Sequence, residues 1–176
     1  MNDIYYMKLA LEQAIDAFDR GEFPVGCVIV QDGKVLAMGS RNGTTPDKRL
    51  CSEIDHAEIR ALKSLETNDA GFDPKRAVLY ATMEPCLMCF GAIILAGIKK
   101  IVYAYEDPMG GGTRCDLKRL PLLYEKCGIE VIPGILRQES LDLFVAFFNN
   151  KTNLYWKNSY LETYTLSQKM IENQQK

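Results

Sequence analysis

VLYATMEPCLMCFGAIILAGIKKIVYAY, residues 78–105, reads as strand, helix and strand in immediate succession. Val78 to Thr82 is an apolar run of strand-forming residues, and Lys100 to Tyr105 is another. Between them Pro85 falls where proline is favoured, at the first turn of a helix that runs to about Ala96 and closes at Gly97. Strands joined through a helix are expected to be parallel or mixed members of one sheet.

Downstream of this unit come a glycine-rich loop, Gly110-Gly111-Gly112, a short helix near Leu117 to Lys126 and a strand at Ile129 to Ile132. Leu141, Phe144, Val145 and Phe148 then mark a further helix, and from Asn149 the chain changes character, with Tyr155, Trp156, Tyr160 and Tyr164 set among Asn and Lys, a group that packs a tail onto the domain or a subunit interface or else stacks on bases. Upstream lie a helix from about His56 to Leu65 and a long polar loop, Ser40 to Asp55, holding Asn42-Gly43 and Pro46. Before it, Val25 to Val30 and Val35 to Met38 flank Asp32-Gly33, the signal of a two-residue hairpin. Ile4, Met7, Leu11, Ile15 and Phe18 recur at helical spacing, so residues 3–20 form an amphipathic helix ended by Gly21. The expected fold is therefore α/β, a three-layer α/β/α sandwich with a mixed five-stranded sheet and an opening hairpin. Residues 1–150 make the expected domain, and 151–176 an aromatic, helical extension packed on it.

Composition bounds the function. The chain has 176 residues, 47% hydrophobic and 25% charged, which suits one ordinary globular domain. Its 21 basic and 23 acidic residues leave a net charge of −2, so charge alone does not grip a phosphate backbone. Any such contact is confined to local clusters, of which Lys99-Lys100 and Arg114 with Lys118-Arg119 are expected near the active end. The apolar run Leu87 to Ile98 falls short of a membrane span. Met1-Asn2-Asp3-Ile4 opens no basic and apolar export pattern, and a cytoplasmic location is expected. In a reducing compartment a close cysteine pair points to metal or redox chemistry.

The close pair is Cys86 and Cys89 in Pro85-Cys86-Leu87-Met88-Cys89, and the chain's one histidine stands in His56-Ala57-Glu58. Cysteines three apart at a helix start put both sulfurs on one face, where free N–H groups favour thiolates. Two thiolates and one imidazole are three zinc ligands, and a catalytic zinc keeps its fourth position for water. Zinc with two thiolates is formally neutral, so its water needs a base, and Glu58 supplies one. A single carboxylate that moves protons from water to a ring nitrogen and to departing ammonia suits hydrolytic removal of an exocyclic amine from a ring amidine. A redox dithiol or two small buried side chains would account for the cysteines alone, but not for His56-x-Glu58 beside Pro85. A noncatalytic structural zinc would need a fourth protein ligand and would leave Glu58 without a purpose.

His-x-Glu with Pro-Cys-x-x-Cys is the signature of zinc nucleobase deaminases, and the chain resembles the cytidine deaminase superfamily. Within it, residues of about 5–150 resemble the bacterial tRNA adenosine deaminases. The resemblance is carried by Gly21-Glu22-Phe23-Pro24-Val25-Gly26, Asn42, His56-Ala57-Glu58-Ile59, Glu84-Pro85-Cys86-Leu87-Met88-Cys89, Gly91-Ala92, Asp107 and Phe147-Phe148. It implies zinc at His56, Cys86 and Cys89, a proton shuttle at Glu58 and substrate contacts at Asn42, Phe23 and Asp107. It also implies a homodimer and a nucleobase substrate carried in a tRNA anticodon loop. The loop Tyr105 to Gly112 departs from the Lys-containing, small-residue loop of those enzymes, and the aromatic tail extends past the double Phe. Deaminases of this fold that act on free bases keep the same zinc motif, so a free base, nucleoside or nucleotide is the alternative substrate.

Overall fold

The computed structural model describes residues 2–45, 51–67 and 71–174, with side chains in the last helix described as far as 171. Pro46, expected in the long loop, lies outside the described residues. The element order is α1 (Asp3–Asp19), β1 (Gly26–Gln31), β2 (Lys34–Ser40), α2 (Ala57–Thr67), β3 (Ala77–Met83), α3 (Leu87–Leu95), β4 (Lys100–Tyr105), α4 (Leu122–Glu125), β5 (Glu130–Ile132), α5 (Arg137–Asn149) and α6 (Tyr160–Gln174). The strands form one mixed sheet in the order β2-β1-β3-β4-β5. β1 is antiparallel to both β2 and β3, whereas β3, β4 and β5 run parallel.

The β1–β2 hairpin turns through Asp32 and Gly33, whose φ values of 51° and 83° are those of a two-residue turn matched to the twist of the strands. Alternation along the strands then sorts the core into two layers. Val28, Val30, Val78, Tyr80, Val102 and Ala104 pack against Tyr6, Met7 and Ala10 of α1. On the opposite face Cys27, Ile29, Leu79, Ala81 and Ile101 meet Ala57, Ala61 and Leu65 of α2 and Phe90, Ile93 and Ile94 of α3. Helices cover both faces, as expected of a three-layer sandwich.

Two expectations are corrected. The single helix expected over Leu117 to Lys126 is a 3-10 turn at Leu117–Arg119 followed by the one-turn α4. Pro121 separates them: it lacks an N–H donor and forces Leu120 into extended backbone, at φ −98° and ψ 164°. Pro85 stands outside α3, because Cys86, at φ −66° and ψ 170°, is the N-cap and the helix begins at Leu87.

Three strands deliver their C-terminal ends, and β1 its N-terminal end, to one edge of the sheet. Gly26 is paired with Ser40, Cys27 with Ala81, and Met83 with Tyr105. Phe23, Arg41, Asn42, Glu84, Cys86 and Asp107 therefore emerge together. This is the crevice beyond the carboxyl ends of parallel strands where α/β folds bind ligands. Lys99-Lys100 opens β4 at the opposite end, so that basic cluster is not at the active end of the sheet.

Candidate active site

Gly39 fixes the height of α2 above the sheet. A Cβ there would fall 2.1 Å from the carbonyl oxygen of Ala57 and 2.7 Å from the nitrogen of Ala61, so α2 sits directly on β2. Its first turn carries Glu58, and His56 immediately precedes it. On the facing helix Cys86 and Cys89 point the same way: His56 Nδ1 is 3.6 Å from Cys86 Sγ and 3.4 Å from Cys89 Sγ. The three donors lie within 4.8 Å of one another and form a group able to hold a metal ion.

Charge in this group is arranged by burial and by mutual hydrogen bonding. Hydrogen bonds with Cys89 and then His56 outweigh burial and hold the Cys86 thiol down at about 4. Cys89 is pushed up by its bond with Cys86 and by its burial. Burial works against a charged His56, yet the bond with Cys86 and the Glu58 charge hold its pKa above the ordinary imidazole range. Glu58 is 3% exposed. Burial raises its pKa against the opposing pull of His56. Among the described residues its Oε2 is the one buried side-chain oxygen or nitrogen without a hydrogen-bond partner.

These groups form the floor of a cavity of about 290 Å³, near the lower end of the range of about 300–1,000 Å³ for small-ligand sites. Phe23, Val25 and Met83 contribute apolar lining and Glu84 and Asp107 acidic lining, and Arg41, Tyr155 and Trp156 complete the enclosure.

Residues 1–139 match the MafB19-like deaminase family. The chain belongs to that family. The tRNA-specific adenosine deaminase of Bacillus subtilis (strain 168) is 35% identical over 153 residues, covering 83% of this chain and 88% of the relative. A structure solved in a study of A-to-I editing by tRNA:A34 deaminases at the wobble position of transfer RNA superposes with a TM-score of 0.62 at 34% identity. It covers 79% of this chain and 98% of its own. A crystal structure of a mutant of NE0047 in complex with 8-azaguanine gives a TM-score of 0.66 at 26% identity, covering 82% of this chain and 84% of the other.

The loops that line this deaminase's cavity are held by buried polar anchors. Glu22 is fully buried, and its carboxylate accepts from the Thr44 nitrogen at 2.6 Å, the Thr44 hydroxyl at 2.7 Å and the Thr45 hydroxyl at 3.1 Å. The Thr44 hydroxyl oxygen accepts from the nitrogen of Phe23 at 2.8 Å, so loop 41–45 and Phe23 are tied together. Asp107 takes hydrogen bonds from the backbone nitrogens of Met109 and Gly110, each at 2.9 Å. Burial still raises its pKa, and the Glu84 and Cys86 charges add to the rise. Glu84 accepts from Thr113 at 2.5 Å, from the Asp107 nitrogen at 3.2 Å and from Arg114 at 3.4 Å. The glycine loop is tied to the start of α3. Gly111 bridges to Cys86, and the Gly112 nitrogen donates to the Pro85 carbonyl at 2.8 Å.

Of the residues picked out by sequence, His56, Glu58, Cys86, Phe23 and Asp107 line one cavity, with Cys89 buried behind. Asn42 is not on that wall; its side-chain amide donates to Asp55 at 2.9 Å. Sequence reasoning misses Arg41, Glu53, Met83 and Leu161, and it leaves Tyr155 and Trp156 between packing a tail and stacking on bases; the structure puts both on the cavity wall. No spacing rule marks these positions, because they come from separate loops and elements. Cys27 and Cys127 are buried and Cys51 and Cys115 exposed, away from the donor group.

Proposed function

We propose that this deaminase holds a zinc ion at His56, Cys86 and Cys89 and converts adenosine to inosine in a transfer RNA, working as a cytoplasmic homodimer. The observation that carries the metal reading is the buried, unpartnered Oε2 of Glu58 beside a His/Cys/Cys donor set. An orphaned buried carboxylate oxygen costs about 1–3 kcal/mol. Zinc held by His56, Cys86 and Cys89 would draw water to this end of the cavity, and that water would give the oxygen a donor. The donor set suits zinc, with two thiolates, one imidazole and no fourth protein ligand among the described residues. Bound there, zinc would act as a Lewis acid that makes water a competent nucleophile at neutral pH.

The chain's own residues do the rest. Glu58 takes a proton from the attacking water and gives it to the ring nitrogen, then carries the second to the exocyclic amine, which leaves as ammonia while oxygen replaces it. Its burial raises its affinity for the proton, which suits both transfers. The apolar walls exclude water from the ring, and a single base turned out of its strand fits a cavity of about 290 Å³. Phe23, Asp107 and Asn42 are assigned to substrate, the first two from the cavity wall and Asn42 from the loop beside it. The RNA substrate is supported by the adenosine deaminases of similar sequence. The dimer is supported by α3, where Leu87 and Leu95 stand exposed on one face with open space beside Gly91. No helix among the described residues is long and apolar enough to cross a membrane.

A second reading, a free base or nucleoside as substrate, is favoured by the tail aromatics that enclose the cavity and by the 8-azaguanine complex of the similar protein. The two separate in one experiment. Zinc-loaded protein is given an anticodon stem-loop with a wobble adenosine, then adenosine, guanine and cytosine, and ammonia is measured across a salt series. An RNA substrate loses apparent affinity steeply as salt rises, whereas an uncharged base does not. Release of ammonia from a small molecule with none from the RNA at low salt overturns the tRNA assignment.

A further inference from the structure

The chain leaves α5 at Asn149 and returns across the cavity before α6 begins, so that Tyr155 and Trp156, with Leu161 of α6, wall the same space as His56, Glu58 and Cys86. Two residues of this crossing hold left-handed backbone, Trp156 at φ 54° and Asn158 at φ 61°. Asparagine tolerates that region; a bulky aromatic residue rarely adopts it and must be held there by its surroundings.

The holding contacts are specific. The Tyr155 ring lies 5.4 Å from Phe23 and 5.7 Å from Trp156. Its hydroxyl donates to Glu53 at 2.8 Å and accepts from Arg41 Nη2 at 3.4 Å. Arg41 itself is 2% exposed, is 3.7 Å from Glu53 and donates through Nη1 to the Asn42 carbonyl at 2.6 Å. Asn153 Oδ1 accepts from the Tyr155 nitrogen at 2.9 Å, and Glu162 accepts from the Asn158 nitrogen at 2.5 Å. The core does not absorb Trp156, which lines the cavity and remains 43% exposed. The constrained backbone thus displays an aromatic ring at the cavity wall instead of burying it.

We propose that residues 153–158 are a fixed strap, latched by Arg41 through Tyr155, and that the strap presents the Trp156 indole as the face on which the substrate base stacks. The inference deepens the reading of this site as a base deaminase and does not depend on whether the base is free or part of an RNA. Stacking on an indole is available to every base. It sets the plane of the ring above the donor group, while the polar residues opposite read its edge. Trp156 is then a substrate-binding residue that serves any base, and Arg41 and Tyr155 are positioning residues that act through it.

Trp156 is the chain's one tryptophan, so its fluorescence reports the strap directly. Zinc-loaded Glu58→Gln protein is titrated in turn with a wobble-adenosine stem-loop, adenosine and guanine, and each probe is assayed for deamination by the wild type. The probe that is deaminated quenches Trp156 on binding. Trp156→Ala raises its KM about tenfold with kcat held within about threefold, and Trp156→Phe restores most of the loss. Tyr155→Phe, which keeps the ring and drops both hydroxyl bonds, shifts Trp156 emission to longer wavelength and raises KM in the same direction. A probe that is deaminated without quenching Trp156, and whose KM is unmoved by Trp156→Ala, overturns the strap. An inert stem-loop with a small probe that is both deaminated and quenching leaves the strap standing and removes the tRNA assignment alone.

Discussion

Glu58→Gln separates the chemistry of the site from its stability. The substitution keeps the shape of a side chain that is 3% exposed and removes its ability to exchange protons. General acid–base groups contribute about 10²–10⁴-fold, and here one carboxylate serves two transfers, so kcat should fall by about 10⁴. Stability should move the other way. The wild-type carboxylate is buried with an unpartnered Oε2, a desolvation cost of about 1–3 kcal/mol that a neutral amide largely avoids. In chelator-treated protein the variant should therefore melt higher by about 2–12 °C, given about 2–4 °C per kcal/mol for a chain of this size. Ammonia release under saturating substrate measures the first effect, and scanning calorimetry of the metal-free proteins measures the second. Turnover within tenfold of wild type would refute the shuttle, and a lower melting temperature would refute the claim that the carboxylate is held in an unfavourable site.

Arg137→Met should destabilise the protein by about 1.5–3 kcal/mol at neutral pH, because Arg137 Nε donates to Glu106 Oε2 at 2.7 Å and the pair fastens α5 to the end of β4. Burial pushes the Glu106 pKa up, but the Arg137 hydrogen bonds outweigh it and hold it below the ordinary range. A depressed carboxylate stabilises the fold above its unfolded pKa and loses that contribution as pH falls through the folded one, so the difference between wild type and variant in urea titrations should shrink below about pH 4. Gly39→Ala should displace α2, since its Cβ would meet the Ala57 carbonyl at 2.1 Å. A loss of about 3 kcal/mol with weakened zinc retention in metal analysis is expected; wild-type zinc content and melting would reject the seating of the site on that glycine. Leu95→Glu, on the 65% exposed end of the α3 face, should halve the mass seen by light scattering at micromolar concentration, and an unchanged mass would remove that face from the dimer.

The fold is legible in the sequence because its decisive signals are short in range. Asp32-Gly33 needs only its own backbone to specify a hairpin, and the alternation of β1 and β3 between two apolar layers follows from strand geometry. The break at Pro121 is equally local, but a reading by apolar spacing over Leu117 to Lys126 runs through it unless the missing proline N–H is weighed first. The donor group is legible for the same reason as the hairpin, since His56-x-Glu58 and Cys86-x-x-Cys89 each span four residues or fewer at the start of a helix. What sequence cannot supply is the meeting of the two helices, which rests on Gly39 admitting α2 to the sheet.

The substrate wall is a different kind of object. It is assembled from Phe23 before β1, Arg41 and Glu53 in the loop after β2, Asp107 after β4, and Tyr155 and Trp156 after α5. These segments carry no spacing relation to one another, and each residue has a bland reading in isolation: a core phenylalanine, a surface salt bridge, a turn aspartate, a packed tail. Their roles emerge only when tertiary structure buries Arg41 and gives its guanidinium the Tyr155 hydroxyl, across 114 residues of chain, as a partner. On the proposed reading, reaction class rests on two short motifs, while the base is held by loops and a tail that can change without disturbing them. The Trp156 and Tyr155 substitutions should accordingly raise KM well before they change zinc content or kcat.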